Sequence, residues 1–228
     1  MEIELECGMI ACFKSEFSIG KSILKIPQIF SLAKDEVVLV EDSMSGFRKA
    51  NKESQKTGKP LRFGLRIETT SGNQPSKVIF FSKGNKGIDS LRRIYTKAFT
   101  KNDGVYELRK EELEDLKIVI PFYDSYIHRN IHNFGSHELD LEGLNPVFFE
   151  EKNNHPFDFL IKRAIVDMGV KTTLAKSIYY EKKDDLTAFQ WVKAMANRKG
   201  GRTPTFERPE LSYFCSDLFC WEDYLEKL

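Results

Sequence analysis

Short apolar runs alternate with helix-like stretches along most of the chain, and this alternation restricts the fold more than any other feature. The strand-like runs are 8–13, 36–40, 61–69, 77–82, 117–122, 145–151 and 170–175. The helix-like stretches are 22–34, 43–57, 87–99, 157–169 and 184–198. Such alternation predicts an α/β fold with a mostly parallel sheet. Seven strands favour a small closed barrel over an open doubly wound sheet, which is the alternative.

The turn after the first predicted strand tests that alternative. Open doubly wound sheets commonly carry a Gly-rich phosphate turn at this point. Here the turn is "KSEFSIGKS" (14–22), which matches neither G-x-G-x-x-G nor G-x-x-x-x-G-K-[ST]. The barrel is therefore preferred, and no nucleotide or other small-molecule substrate is predicted.

The composition is that of an ordinary globular protein, 41% hydrophobic and 30% charged, with a formal net charge of +1. This charge provides no general attraction for nucleic acid, so weak or no binding is expected, although a local basic patch is compatible with it. No apolar run approaches the ~18 residues that span a bilayer. The cysteines show neither C-x-x-C nor a disulfide-framework spacing. We therefore predict a cytoplasmic protein that does not bind membranes.

A family resemblance extends along nearly the whole chain. The segments that carry it are "CFKSEFSIGKS", "LVEDSMSGFRKANKESQKTGKPLRFGLRIE", "KVIFFSKGNKGIDSLRRIYTKAF", "LRKEELEDLKIVIPF", "TTLAKSIYYEKKDDLTAFQWVKAM" and "LSYFCSDLFCWEDYLEKL". In this order and spacing they resemble the polymerase-and-histidinol-phosphatase (PHP) domain of the alpha subunit of bacterial DNA polymerase III. The resemblance implies a distorted (β/α)7 barrel over residues 1–204. It also implies that residues 205–228 pack on the barrel or lead to a polymerase region.

The same resemblance indicates where an active member of the family would bind metal ions. The corresponding positions here are Cys12, Lys14, Glu41, Asp42, Arg66, Tyr123, His155, Ser177 and Tyr179. Of these, His155 alone keeps the ligand type of the family. A site for several metal ions needs neutral imidazoles and carboxylates, whereas Lys14 and Arg66 would place two cations at its centre. A degenerate site is therefore predicted, with no metal, no other cofactor and no catalytic residue.

The charged residues at these positions suggest that ion pairs between side chains replace the metal ions. Lys14 and Arg66 are predicted to pair with Glu41 and Asp42 and so to hold the strand ends together. The alternative is that all four side chains face solvent. Glu150 is a further acid that we expect near this group.

A cluster of histidines, His128, His132 and His137, is a second candidate site. A His-x-x-x-His pair on a helix can bind zinc, but the zinc-protease pattern needs Glu directly after the first histidine, and Arg129 stands there. We therefore predict an exposed polar loop without a metal.

The last segment is rich in aromatic residues and must be covered. Phe214, Leu218, Trp221 and Leu225 lie at i, i+4, i+7 and i+11, the spacing of a helical stripe. We predict that the stripe packs on its own chain beside the helix at 185–197 and buries Trp221. The alternative is that these four residues bind a partner.

The resemblance implies a metal-free, catalytically inactive module of a DNA polymerase III-type replication system. Its role would be structural and protein-binding, with replicative polymerase subunits or a proofreading exonuclease as partners. Two alternatives stay open. One is a residual phosphoesterase or 3′-5′ nuclease that uses Glu41, Asp42, Glu150 and His155, and the other is a virus-encoded decoy of host replication. The resemblance is compatible with a freestanding module and with part of a larger polymerase chain.

Overall fold

The computed structural model describes residues 8–72, 74–133, 136–151, 158–196 and 219–226. The strands in these residues are β1 (Ile10–Phe13), β2 (Val37–Glu41), β3 (Leu61–Thr70), β4 (Ser76–Ser82), β5 (Val105–Glu107), β6 (Leu116–Ile120), β7 (Val147–Glu150) and β8 (Thr172–Ile178). The helices are α1 (Ile26–Leu32), α2 (Phe47–Thr57), α3 (Asn85–Lys101), α4 (Tyr126–Asn133), α5 (Asp158–Asp167), α6 (Leu186–Ala196) and α7 (Trp221–Leu225).

Seven of these strands close into a barrel. Their order is β2-β1-β8-β7-β6-β4-β3, and β2 pairs with β3 to complete the ring. β5 lies outside the ring and extends the far end of β3. This confirms the prediction of an α/β fold with a closed barrel of seven strands.

The strand directions depart from a regular (β/α)7 order. β4 runs antiparallel to both of its neighbours, β3 and β6, while the other pairings of the barrel are parallel. β4 follows β3 through a short turn with no helix between them. An antiparallel pair can be joined by such a turn, whereas a parallel pair needs a crossover. The barrel is therefore mixed.

Alternation along the strands divides the apolar side chains between two cores. The barrel interior is filled by Cys12, Val38, Val40, Ile79, Phe81, Val119, Val147, Phe149 and Ala175. Outward-pointing residues such as Phe13, Leu39 and Phe63 form the larger core beneath the helices. Gly64 of β3 leaves room inside the barrel, because a Cβ atom there would lie 2.7 Å from Cε1 of Phe81.

The prediction of an exposed polar loop around His128 is wrong. His128 lies on α4, and the side chains of His128 and His137 are both buried. Ile127 and Ile131, one helical turn apart, attach α4 to the outer core. The apolar face of this short helix could not be recognised in the sequence, because most of the residues of the helix are polar or charged.

The described part of the tail packs against its own barrel. The Trp221 side chain is 7% exposed, and its ring lies 5.3 Å from that of Phe13 and 5.0 Å from that of Tyr224. Tyr224 donates a hydrogen bond from its hydroxyl to the carbonyl oxygen of Met9 at 2.9 Å. Leu225 is 43% exposed, and Phe214 and Leu218 lie outside the described residues.

A second contact joins the tail to α6. The ring of Phe219 stacks on Tyr179, which in turn stacks on Phe189 of α6, with centroid distances of 4.8 and 5.9 Å. The tail thus reaches α6 through Tyr179 and by Phe219, which is not a residue of the predicted stripe, whereas Trp221 of the stripe packs on Phe13. Within the described residues, no helix has both the length and the apolar character that crossing a membrane requires.

Candidate functional site

The carboxyl ends of the parallel strands surround a small cavity, lined by both polar and apolar side chains, that we call the barrel mouth. It measures about 30 Å³ and is lined by Cys12, Lys14, Val40, Arg66, Ile79, Pro121, Tyr123, Phe149, Glu151, Ser177 and Tyr179. Cys12 and Lys14 are two residues apart on or after β1, and Ser177 and Tyr179 are two apart on or after β8. Residues at this spacing point to the same side of a sheet. A cavity of this size has room for at least one water molecule.

Asp42 is the centre of the charge network at the mouth. Its Oδ1 atom lies 3.1 Å from Nζ of Lys14 and 2.8 Å from Nε of Arg66. Its Oδ2 atom lies 3.0 Å from Nζ of Lys21. Arg66 also approaches Asp124, at 3.6 Å between Nη1 and Oδ2. One carboxylate, which follows β2, therefore joins two cations of the β1–α1 connection and one of β3.

Burial makes this network more than a surface ion pair. The side chains of Lys14 and Arg66 are 3% and 9% exposed, while that of Asp42 is 22% exposed. Burial alone would raise the pKa of the Asp42 carboxyl, but Arg66, Lys14 and Lys21 outweigh it and hold the pKa well below its usual range. Asp42 is therefore ionised at neutral pH.

Lys14 is in the opposite situation. Burial and the neighbouring Arg66 guanidinium lower the pKa of its ammonium from 10.5 to about 7, against the attraction of Asp42. Arg66 keeps its proton, since the carboxylates of Asp42 and Asp124 overcome the effect of burial and raise its pKa. Lys14 is thus the group in the network whose charge responds to pH near neutrality.

Glu41 takes no part in this network, contrary to the predicted pairing. Because it is adjacent to Asp42 along the chain, its side chain points to the opposite face of the sheet. There it accepts hydrogen bonds from the Ser15 backbone N–H at 2.8 Å and the Ser18 hydroxyl at 2.5 Å. Burial raises the pKa of its carboxyl, although Lys14 and Ser18 oppose the shift. Glu41 holds the turn between β1 and α1.

The remaining predicted positions are distributed as follows. Ser177 donates a hydrogen bond to Glu151 at 2.6 Å, and the Tyr123 hydroxyl donates to Asp158 at 3.0 Å. Tyr179 lies in the mouth, where burial raises the pKa of its hydroxyl. His155 falls outside the described residues.

Sequence reasoning missed three residues of the site. Glu150 points away from the mouth and pairs with Lys162 at 2.7 Å, and Glu151 faces the cavity instead. Lys21 and Asp124 also belong to the network. Asp124 has a φ of 64°, which a residue other than glycine seldom adopts. No pattern in the sequence marks Lys21 or Asp124.

The residues at the mouth do not fit the metal ions that the family resemblance would imply. Two or three ions would require several converging imidazoles and carboxylates. Among the described residues, no three His, Cys, Asp or Glu side chains are grouped so as to hold a metal ion. The ammonium of Lys14 and the guanidinium of Arg66 occupy the centre and already share the Asp42 carboxylate.

We expect Lys14→Met to change the pH dependence of stability. Between the folded pKa of about 7 and the ordinary 10.5, the unfolded chain binds a proton that the folded chain lacks. Stability of the wild type should therefore rise with pH in this window, by up to about 1.4 kcal/mol per unit, relative to the variant. Thermal melts from pH 7 to 9 would measure this, with Lys52→Met, at an exposed position, as the control. Parallel curves for wild type and Lys14→Met would contradict a low pKa at Lys14.

Comparisons with known proteins give little further information. No family model matches the sequence, and no curated protein matches it. Among solved structures, a protein described as a candidate metal-dependent phosphoesterase from Bifidobacterium adolescentis matches with 17% identity and a TM-score of 0.27. The match covers 34% of this chain and 29% of that one. At this TM-score it carries no argument about function, and the fold described above rests on the strands of this chain.

Proposed function

We propose that this chain is a metal-free, catalytically inactive PHP-like barrel with a structural and protein-binding role in a DNA polymerase III-type replication system. One observation supports the proposal that the barrel is metal-free and catalytically inactive. Lys14, Lys21 and Arg66 surround Asp42 where an active relative would gather metal ions. Cations in these positions repel metal ions and occupy the carboxylate that would bind them.

The network also supports a structural role. Lys14 follows β1, Asp42 follows β2, and Arg66 lies on β3, so the ion pairs cross the part of the ring where these three strands meet. Fixed pairs between neighbouring strand ends oppose opening of the barrel. In an active enzyme the bound metals would crosslink the same ends.

The replication context rests on the resemblance of the sequence segments. It makes polymerase subunits or a proofreading exonuclease the proposed partners, and the cytoplasm the proposed compartment. Of the four residues predicted to bind a partner, Trp221 is buried in the barrel's own core and is not accessible to one. Leu225 is accessible.

The residual nuclease alternative receives no support from the geometry. It requires Glu41, Asp42, Glu150 and His155 to act together, and His155 lies outside the described residues. Glu41 points to the β1–α1 turn and Glu150 to Lys162, so of the three acids Asp42 alone is at the mouth.

Metal analysis tests the proposal. We expect the full-length protein, incubated with Zn²⁺ or Mn²⁺ and then dialysed, to retain well below one ion per chain by elemental analysis. We also expect no hydrolysis of a phosphomonoester or of a 3′-labelled oligonucleotide above the level of a Ser177→Ala variant. One or more metal ions per chain, or hydrolysis that Ser177→Ala or Asp42→Asn abolishes, would overturn it.

A further inference from the structure

A second cavity, larger than the mouth, lies between α3 and the chain that connects β5 to β6. Its volume is about 250 Å³, slightly below the range of pockets that hold drug-sized ligands. One wall is a face of α3 that presents, at helical spacing, Ser90, Arg93 and Lys97. The other wall carries four acids, Glu111, Glu112, Glu114 and Asp115. The cavity therefore has room for a small polar molecule.

The two walls of this cavity are fixed to each other. Glu112 forms an ion pair with Lys97 of α3. The backbone N–H of Lys83 donates to the carbonyl oxygen of Asp115 at 2.9 Å. Gly87 of α3 lies so near the same oxygen that a Cβ atom there would be 2.6 Å from it. These contacts hold α3 against the acidic wall, so the cavity is formed before any ligand arrives.

The α3 wall offers a place for an anionic group. Nη2 of Arg93 donates to the hydroxyl oxygen of Ser90 at 2.9 Å, and among the described residues no carboxylate lies within ion-pair distance of Arg93. Ser90 is 2% exposed, and its own proton has no acceptor in the part of the chain that the structure describes. Buried hydroxyl groups normally donate. A carboxylate that accepts from both the planar guanidinium and this hydroxyl would satisfy the two donors.

The opposite wall offers places for cationic groups. Glu112 is neutralised by Lys97, but no cation among the described residues lies within ion-pair distance of the other three acids. We call these three, Glu111, Glu114 and Asp115, the acidic wall. The neighbouring cations Arg109 and Lys110 pair with other acids. The three carboxylates are not grouped as the ligands of one metal ion would be, so they suit separate nitrogen cations.

We propose that this cavity binds a free basic amino acid such as arginine. The carboxylate of the ligand contacts Arg93 and Ser90, and its α-ammonium group and side-chain cation lie along the acidic wall. A ligand with one negative and two positive groups matches one unpaired guanidinium and several unpaired carboxylates. Every lining side chain is polar or charged, which disfavours an apolar ligand. The proposal does not depend on the proposed function, because no residue of this cavity lines the mouth.

Titration with three related ligands tests the assignment of charges. We expect the full-length protein to bind one L-arginine per chain by isothermal titration calorimetry at about 50 mM salt, where ion pairs are weakly screened. Agmatine lacks the carboxylate and norleucine lacks the side-chain cation, so each should bind at least about tenfold more weakly. Absence of L-arginine binding at concentrations up to about 10 mM would overturn the proposal. Equal affinity for agmatine or norleucine would also overturn it.

Matched variants locate the site. Arg93→Gln and Glu114→Gln should each weaken L-arginine binding by about tenfold, since each removes one charged contact. Arg92→Gln is the control, because Arg92 is the neighbour of Arg93 on α3, pairs with Asp89 at 2.8 Å and does not line the cavity. All three changed positions are exposed, so thermal melts should show intact folding. Unchanged affinity in Arg93→Gln, or an equal loss in the control, would overturn the proposal.

Discussion

Asp42→Asn should destabilise the protein by about 3 kcal/mol, because it leaves the largely buried guanidinium of Arg66, and Lys14 where it is protonated, without their shared carboxylate. For a protein of this size, that loss corresponds to a fall in melting temperature of roughly 6 to 12 °C. Asparagine keeps the shape and one acceptor oxygen, so the loss would report the charge. Thermal melts at pH 7 would measure it.

The pH dependence of this loss is a check on its cause. Asp42 has a folded pKa below its unfolded value, so its contribution is present above the unfolded pKa of about 3.9 and is lost as pH falls through the folded pKa. The difference between wild type and Asp42→Asn should therefore shrink in acid. Asp89→Asn removes an acid that pairs with a single exposed cation, Arg92, and should have little effect. If Asp42→Asn melts like wild type, the cations at the mouth are solvated.

Trp221→Ala should cost about 3 to 5 kcal/mol, since the side chain is 7% exposed and its ring packs between those of Phe13 and Tyr224. The chain has two tryptophans, and Trp191, which is 61% exposed, provides the matched control. Trp191→Ala should change stability far less. Chemical denaturation followed by circular dichroism would compare the two variants on one scale.

Truncation after Pro204 extends the same test to the whole tail. It removes Trp221 and Phe219 together and uncovers Phe13 and Tyr179. We expect a larger fall in melting temperature than for Trp221→Ala, together with aggregation, because the exposed aromatic surface is large. A truncated protein that melts like the full chain would show that the tail does not stabilise the barrel and is available to a partner.

The mouth shows how far the sequence could predict the site. Cys12, Lys14, Arg66, Tyr123, Ser177 and Tyr179, which the family resemblance assigns to one site, all line the same cavity. Strand ends could be located because apolar runs end where polar residues begin.

Pairing partners could not be predicted, because they depend on which face of a strand a side chain occupies. Successive residues of a strand point to opposite faces, so an error of one position moves a side chain from the mouth to the outside of the barrel. Asp42 and Glu151 face the mouth, whereas their neighbours Glu41 and Glu150 face away from it. The antiparallel direction of β4 was also missed. The short connection from β3 to β4, with no helical stretch, was a signal of a hairpin.

The position of β1 in the ring has a consequence for synthesis on the ribosome. β1 lies between β2 and β8, and the hydrogen bond between Met9 and Tyr224 spans 215 positions. At 5–20 residues per second, β8 emerges roughly 10 to 30 s after β1. Throughout that interval one edge of β1 and the apolar face of Phe13 lack their final neighbours. A nascent chain with such an unpaired edge is prone to self-association, so its yield should depend on chaperones that hold the amino-terminal half until the last strand arrives.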